Sequence, residues 1–272
     1  MKRVGVIGDP VEHSLSPHMH NAAFGELGID AFYELWPTPL PGLGDRVASL
    51  RLPDVLGANV TVPHKQAVMP FLDRVTETAQ RIGAVNTVIP SPEGLIGDNT
   101  DAHGFQRSIE ETFGPVQIDS AVVLGAGGAS RAAIVALRMM GVENIDIANR
   151  TDARAAALAQ EFAAEMIPWS EVVAESFPDA ELLINATSLG WHDEMPVLMD
   201  DLKRLPHRAI VVDLTYRETP LLRAAADCGR RGLDGLGMLV HQGARAFELW
   251  TGMQAPVGIM QESVRAEQAR RG

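Results

Sequence analysis

The chain has 272 residues, 46% apolar and 21% charged, with 23 Lys and Arg against 35 Asp and Glu for a net charge of −12. This describes a globular protein long enough for two lobes or one large α/β domain, and the negative balance argues against a nucleic-acid footprint. The single cysteine, Cys228, excludes an internal disulfide framework and a cysteine-rich zinc site.

In chain order, Met1-Lys2-Arg3 is followed by only five uncharged residues before Asp9, too few for a secretory signal. No apolar run approaches the roughly 18 residues of a membrane span, so a cytoplasmic location is expected. Short Val/Ile/Leu-rich runs at residues 4–7, 58–62, 85–89, 122–124, 145–148, 182–184 and 210–214 read as strands buried on both faces. Amphipathic or alanine-rich helices are predicted between them at 18–27, 101–113, 130–140, 154–162 and 220–231. The alternation implies an α/β fold with parallel sheets and right-handed crossovers. The turn-prone Ser91-Pro92-Glu93-Gly94 precedes a seam expected near residues 99–103, and helices from about Leu236 onward follow the last predicted strand.

One segment has the context of a dinucleotide site. The strand at 121–124 runs into Gly125-Ala126-Gly127-Gly128-Ala129-Ser130 and then a helix. A strand, a glycine turn and a helix N-terminus together cradle a pyrophosphate. Ser130 stands where a third glycine is usual. NAD enzymes place an acidic residue about 20 residues on. Asp146 has that spacing but falls within a predicted strand, and the strand end reads Asn149-Arg150-Thr151 with Arg154 beyond. Two guanidiniums and a hydroxyl suit a 2′-phosphate, so NADP is expected over NAD.

The first 105 residues place three polar clusters at predicted strand ends: residues 8–17, residues 59–65, and residues 83–87 with 98–101. Their hydroxyls, amides, one ammonium and one carboxylate suit a small polyhydroxylated acid. Lys65, two residues after Pro63, is expected in a first helical turn, where the dipole disfavours an ammonium; such a lysine can serve as general acid and base. Taken singly, each residue has a plainer reading. Lys65 is then solvated, Asp101 is an N-terminal charge on a helix, Ser14 and Ser16 are turn and cap residues, and Thr61 and Asn86 are ordinary strand-end residues.

The segments together resemble the shikimate dehydrogenase family. The resemblance rests on eight pieces in family order: His13–Pro17 with His20–Phe24, Asn59–Lys65, Gly83–Thr87, Asp98–Asp101, Gly125–Ala129, Asn149–Thr151, Asn185–Ser188 and Asp234–Val240. It implies reversible NADPH-dependent reduction of 3-dehydroshikimate to shikimate in aromatic amino-acid biosynthesis. It implies a substrate domain of residues 1–101 plus 236–272, a Rossmann-like NADP domain of 102–235, and a cleft between them for both ligands. Ser14 and Ser16 would hold the substrate carboxylate. Thr61, Lys65, Asn86 and Asp101 would hold ring hydroxyls, with Tyr216 and Gln242 closing the other side and Asn59 as an addition. Lys65 and Asp101 would be the catalytic pair. Gly125, Ala126, Gly127, Gly128 and Ala129 would hold the pyrophosphate, and Asn149, Arg150, Thr151 and Arg154 the adenosine ribose phosphate. Thr187, Leu214, Gly235 and Met238 would lie toward the nicotinamide, with Glu77 as a further cofactor contact.

This chain departs from the family pattern in places. Ala102 replaces a common glycine, the loop around Tyr216 is short, and Trp36 and Trp191 are bulky residues without an assigned role. Trp36 would alter what fits if it lined the cleft. Quinate or quinate/shikimate dehydrogenases resemble the chain too, but Ser16 and Thr151 point away from them. An aminoshikimate-type paralogue is a further alternative. A non-catalytic NADP-binding sensor would be expected to lose Lys65 or Asp101. No metal site is expected: the eight histidines form no HExxH arrangement. The ligands are thus small molecules, with no nucleic acid or membrane partner, and both a monomer and a homodimer fit.

Overall fold

The computed structural model describes residues 1–189 and 194–271, so Trp191 lies outside the described residues. The chain divides into two compact units, residues 1–104 with 240–272 and residues 105–239.

The first unit is built on β1 (Lys2–Gly8), β2 (Ala31–Pro37), β3 (Val55–Val60), β4 (Arg74–Val75), β5 (Thr87–Ser91) and β6 (Gly94–Asp98), in the order β2-β1-β3-β5-β6-β4. β1 pairs parallel with β2 and β3, and β4 with β6. β5 runs antiparallel to both β3 and β6. The sheet is mainly parallel, as expected, but Ser91-Pro92-Glu93-Gly94 turns out to be the tip of the β5–β6 hairpin, with Gly94 at φ 125°. The helices of this part are α1 (Ser16–Glu26), α2 (Leu43–Ser49), α3 (Glu77–Ile82) and α4 (Asp101–Phe113).

β2 and β6 were not expected. β2 exposes Phe32 and Leu35 and buries Tyr33 and Trp36; three residues apart, the two buried rings point to opposite faces of this edge strand, so both faces are partly covered. Trp36 does not line a ligand site. Its ring lies over Gly5, where an added Cβ would sit 2.5 Å away, and guanidiniums of Arg3 and Arg46 stand 5.8 and 5.3 Å from its centroid. Its Nε1 donates to Glu34, which Arg3 grips from the other side. On the opposite side, α1 presents His20, whose ring stacks on Tyr33 with centroids 4.5 Å apart.

The second unit holds β7 (Ser120–Leu124), β8 (Asn144–Ala148), β9 (Glu165–Met166), β10 (Leu182–Asn185), β11 (Ile210–Asp213) and β12 (Arg231–Leu233). Every pairing is parallel, in the order β12-β11-β10-β7-β8-β9. This is the Rossmann order, with its switch point between β7 and β10, where open α/β sheets bind ligands. Its helices are α5 (Gly128–Met139), α6 (Asp152–Phe162), α7 (Val172–Glu175) and α8 (Pro220–Asp227). The helix expected to reach residue 231 stops at Asp227: Gly229 adopts φ 71°, and Arg231–Leu233 becomes an edge strand. The chain returns to the first unit within α9 (Leu236–Thr251) and ends with α10 (Val257–Arg271). In the first unit Trp250 of α9 covers Gly57 and donates to Val88 O. Ser263 of α10 donates to His18 O of α1.

Candidate active site

In the first unit the loops after β1, β3 and β6 converge. Thr61 N donates to Ile7 O, and the Thr61 methyl stands where a Cβ on Gly8 would come within 2.5 Å of it. Residues 62–68 form turns, not the expected helix, so a helix dipole does not act on Lys65. Its placement comes instead from a carboxylate. Lys65 Nζ donates to Asp101 Oδ2 at 2.6 Å, with the lysine side chain 20% exposed and the aspartate 7%.

Asp101 opens α4, and its own N–H donates to Asn99 Oδ1. Its second oxygen accepts from Asn86 Nδ2 at 2.7 Å. The same amide nitrogen reaches Gln242 Oε1 of α9 at 3.3 Å. Lys65, Asn86, Asp101 and Gln242, far apart in the sequence, therefore form one buried polar cluster. Asn59 sits behind it, committed within the protein: Tyr33 donates to its Oδ1 at 2.7 Å, and its Nδ2 donates to Asn86 O at 3.2 Å.

Ser14 and Ser16 enter α1. Ser16 N donates to Ser14 Oγ at 3.2 Å, and Ser16 is buried. Glu77 lies exposed on α3 with its carboxylate on Arg81 at 2.7 Å. Three histidines are buried, His20, His64 and His241, and the sequence has no signal separating them from surface histidines. Burial pushes His20 down to about 3, so it is neutral, and burial pushes the Tyr33 hydroxyl up. His64 is fully buried with Nε2 2.6 Å from Thr38 O.

In the second unit the glycine turn follows β7 at the switch point. Gly125 has φ 116°, and a Cβ there would lie 2.9 Å from Ala186 O and 3.1 Å from Ser130 Oγ, so only glycine fits. A Cβ on Gly127 would meet nothing within 4 Å; that side is open to a ligand. Ser130, in the place of a third glycine, is fully buried, and its Oγ accepts from Gly127 N at 3.2 Å. Gly128 and Ala129 form the first turn of α5, whose N-terminus favours an anion.

A cleft of about 480 Å³ joins this turn to the end of β8. It is lined by Gly125, Ala126 and Gly127, by Asn149, Arg150 and Arg154, and by Thr187. Arg150 and Arg154 are exposed, and among the described residues neither has a carboxylate partner. Thr151 precedes α6 as its N-cap residue, and Asn149 Nδ2 donates to Thr151 O. Asp146 lies within β8 and borders a different pocket, with Asn144 and Asp179. The donor set fits NADP: a glycine turn and a helix N-terminus for the pyrophosphate, and two exposed guanidiniums for a 2′-phosphate.

Trp169, which the sequence reading passed over, lines the same cleft. It is half-buried against the core that includes Val122 and Leu183. The signal was its place just after β9, an edge strand of two residues too short to stand out.

Thr187 Oγ1 donates to Asn185 Oδ1 at 2.7 Å, ordering the β10 loop. Asp213 at the end of β11 is buried and accepts from Asn185 Nδ2, Thr215 N and Thr219 Oγ1. This fixes the loop that carries Leu214 and the half-buried Tyr216. Gly235 abuts that loop: a Cβ would lie 2.2 Å from Leu214 O. Met238 is half-buried in the first turn of α9. Among the described residues no cluster of His, Cys, Asp or Glu could hold a metal ion, and no helix is long and apolar enough to cross a membrane.

A Rossmann unit with an NADP-fitting cleft, together with a unit carrying a Lys–Asp pair among amides and hydroxyls, defines a nicotinamide-dependent α/β oxidoreductase. Three family models match: the shikimate dehydrogenase substrate binding domain over residues 6–88, shikimate/quinate 5-dehydrogenase over 107–220, and the shikimate 5′-dehydrogenase C-terminal domain over 235–265. Shikimate dehydrogenase (NADP(+)) of Symbiobacterium thermophilum is 44% identical, covering 97% of this chain and 93% of the relative. The structure of the Thermus thermophilus enzyme with NADP(H) and shikimate is 42% identical at a TM-score of 0.88, covering 98% of this chain and 99% of that one. Quinate dehydrogenase of Corynebacterium glutamicum with NAD is 33% identical at a TM-score of 0.90, covering 97% of this chain and 99% of that one. The chain belongs to the shikimate dehydrogenase family. It is an NADP-dependent oxidoreductase acting on a CH–OH group.

Proposed function

We propose that the protein interconverts shikimate and 3-dehydroshikimate with NADP(H), on the route to aromatic amino acids in the cytoplasm, with Lys65 and Asp101 as the catalytic pair. Residues 1–101 with 236–272 form the substrate domain in this reading, and 102–235 the NADP domain. The observation that carries it is the 2.6 Å contact of Lys65 Nζ with Asp101 Oδ2 at the carboxyl ends of the strands. When bound, NADPH supplies the hydride. Lys65 donates a proton to the carbonyl oxygen as charge develops there, and takes it back in the oxidative direction. Asp101 holds the ammonium aimed at that oxygen. Thr61, Asn86, Gln242 and Tyr216 orient the ring hydroxyls, and Ser14 and Ser16 receive the carboxylate. Asn59 is a further contact for the substrate and Glu77 for the cofactor in this reading, although their polar groups also bond within the protein.

A second reading, quinate oxidation with NAD, has a solved relative of the same fold. The residues weigh against it: Ser16 at the carboxylate, and Thr151 instead of an acidic residue after Arg150. A spectrophotometric assay at 340 nm crossing shikimate and quinate with NADP and NAD tests the choice. Turnover confined to shikimate with NADP is expected; strong quinate or NAD turnover overturns the assignment. Lys65→Met should lower kcat by about 10²–10⁴, the usual worth of a general acid–base group, with a smaller change in KM. Undiminished turnover in that variant removes Lys65 from the mechanism.

A further inference from the structure

Behind the Lys65–Asp101 pair lies a buried chain of hydrogen bonds that crosses the sheet from β2 to α4. Its direction is set by two backbone groups. Asn86 O can only accept, so the Asn59 amide must turn its Nδ2 toward it, 3.2 Å away. Asn59 Oδ1 then faces the Tyr33 hydroxyl, which must donate, at 2.7 Å. Thr100 N can only donate, so the Asn86 amide must turn its Oδ1 toward it, 2.8 Å away. Asn86 Nδ2 is thereby delivered to Asp101 Oδ1.

Thr87, fully buried at the start of β5, joins the two amides. Its Oγ1 accepts from Asn59 Nδ2 at 3.3 Å, so its proton is free to go to Asn86 Oδ1 at 2.8 Å. The donors then run in one sense: Tyr33 to Asn59, Asn59 to Thr87, Thr87 to Asn86, Asn86 to Asp101. Lys65 donates to Asp101 from the other side. Each donation polarises the next group in a site of low dielectric, and every donor ends on a carboxylate that only accepts.

We infer that Thr87 is a positioning residue for the reaction: together with Thr100 N, which donates to the same Oδ1, its hydroxyl holds the Asn86 amide in the orientation that fixes one oxygen of Asp101, and so leaves the other oxygen to aim Lys65. Thr100 Oγ1 lies 3.0 Å from Asn86 Nδ2 and 3.3 Å from Asn86 Oδ1, a longer approach to that oxygen than the 2.8 Å of Thr87 Oγ1. The inference rests on the reading of Lys65 and Asp101 as the catalytic pair.

Thr87→Val keeps the shape and removes the hydroxyl; Thr87→Ser keeps the hydroxyl. We expect Thr87→Val to lower kcat about tenfold, one hydrogen bond's net worth, with KM for shikimate moving less than threefold. Thr87→Ser should restore kcat to within about twofold while melting no higher than Thr87→Val. Thr87→Val with undiminished kcat, beside an inactive Lys65→Met, overturns the positioning role and leaves the catalytic pair standing. Equal losses in the Val and Ser variants, tracking a lowered Tm, also overturn it, as the residue is then only packing. An active Lys65→Met removes the pair itself, and this inference with it.

Discussion

The phosphate clamp allows a quantitative test. Replace Arg150 and Arg154 by Ala, singly and together. Both guanidiniums are exposed and line the cleft that begins at the glycine turn, so the high-dielectric form of Coulomb's law applies. Two unit charges about 4 Å apart in water interact by about 1 kcal/mol. A 2′-phosphate carries about −1.5 to −2, and screening at physiological salt takes back part of that gain. Each arginine is then worth about 1 kcal/mol, or roughly fivefold in affinity, and the pair roughly thirtyfold. Calorimetry with adenosine 2′,5′-bisphosphate and with 5′-AMP isolates the term, because the ligands differ only by the phosphate. The bisphosphate should weaken by those factors, more at low salt than at high, and 5′-AMP should move less than twofold. Equal losses for both ligands would refute the assignment of these arginines to the 2′-phosphate.

Trp169→Ala should weaken NADP binding about tenfold, the lower range of base–aromatic stacking, and Trp169→Phe should keep most of the affinity; titration by intrinsic fluorescence decides it, and unchanged binding in the Ala variant removes the ring from the site. His20 has a folded value of about 3 against an ordinary 6.5, so the unfolded chain takes up the proton first as pH falls. Its contribution is complete above pH 6.5 and is lost progressively between 6.5 and 3; in urea melts wild type should lose stability relative to His20→Phe on acidification through that window, and parallel profiles contradict the claim. Gly235→Ala puts a Cβ 2.2 Å from a backbone oxygen that cannot swing away; a cost of about 1–3 kcal/mol should appear as a lowered Tm by circular dichroism, and an unchanged melt would mean the loop yields freely.

Much of this site could be read from residues alone because its chemistry is local. Gly125 needs its positive φ, and the Arg150–Arg154 stretch follows a strand at a fixed distance from it. The four central strands of the second unit, β7, β8, β10 and β11, are apolar runs read within a residue or two, while the short edge strands β9 and β12 were missed. What escaped depends on pairing across long separations. β2 reads as a mixed aromatic stretch until β1 lies beside it, and the hairpin at Ser91–Gly94 looks like a linker until β5 and β6 pair. Lys65 was placed on a helix because Pro63 favours one; the turns at residues 62–68 won instead, with Val68 N closing a single turn on His64 O. Trp36 had no assignable role in the sequence because Gly5, the residue it covers, is 31 positions away.

The first unit is assembled from two stretches of chain with the whole second unit between them. During synthesis, residues 1–104 leave the ribosome before α10, whose Ser263 and Arg271 bind the backbone of His18 and His13. Residues 105–239 are contiguous and can close on their own. Domains fold as units as their residues emerge. The contiguous Rossmann unit can therefore complete its core before the first unit is whole, and Asn86, made early, reaches Gln242 only once α9 has been made.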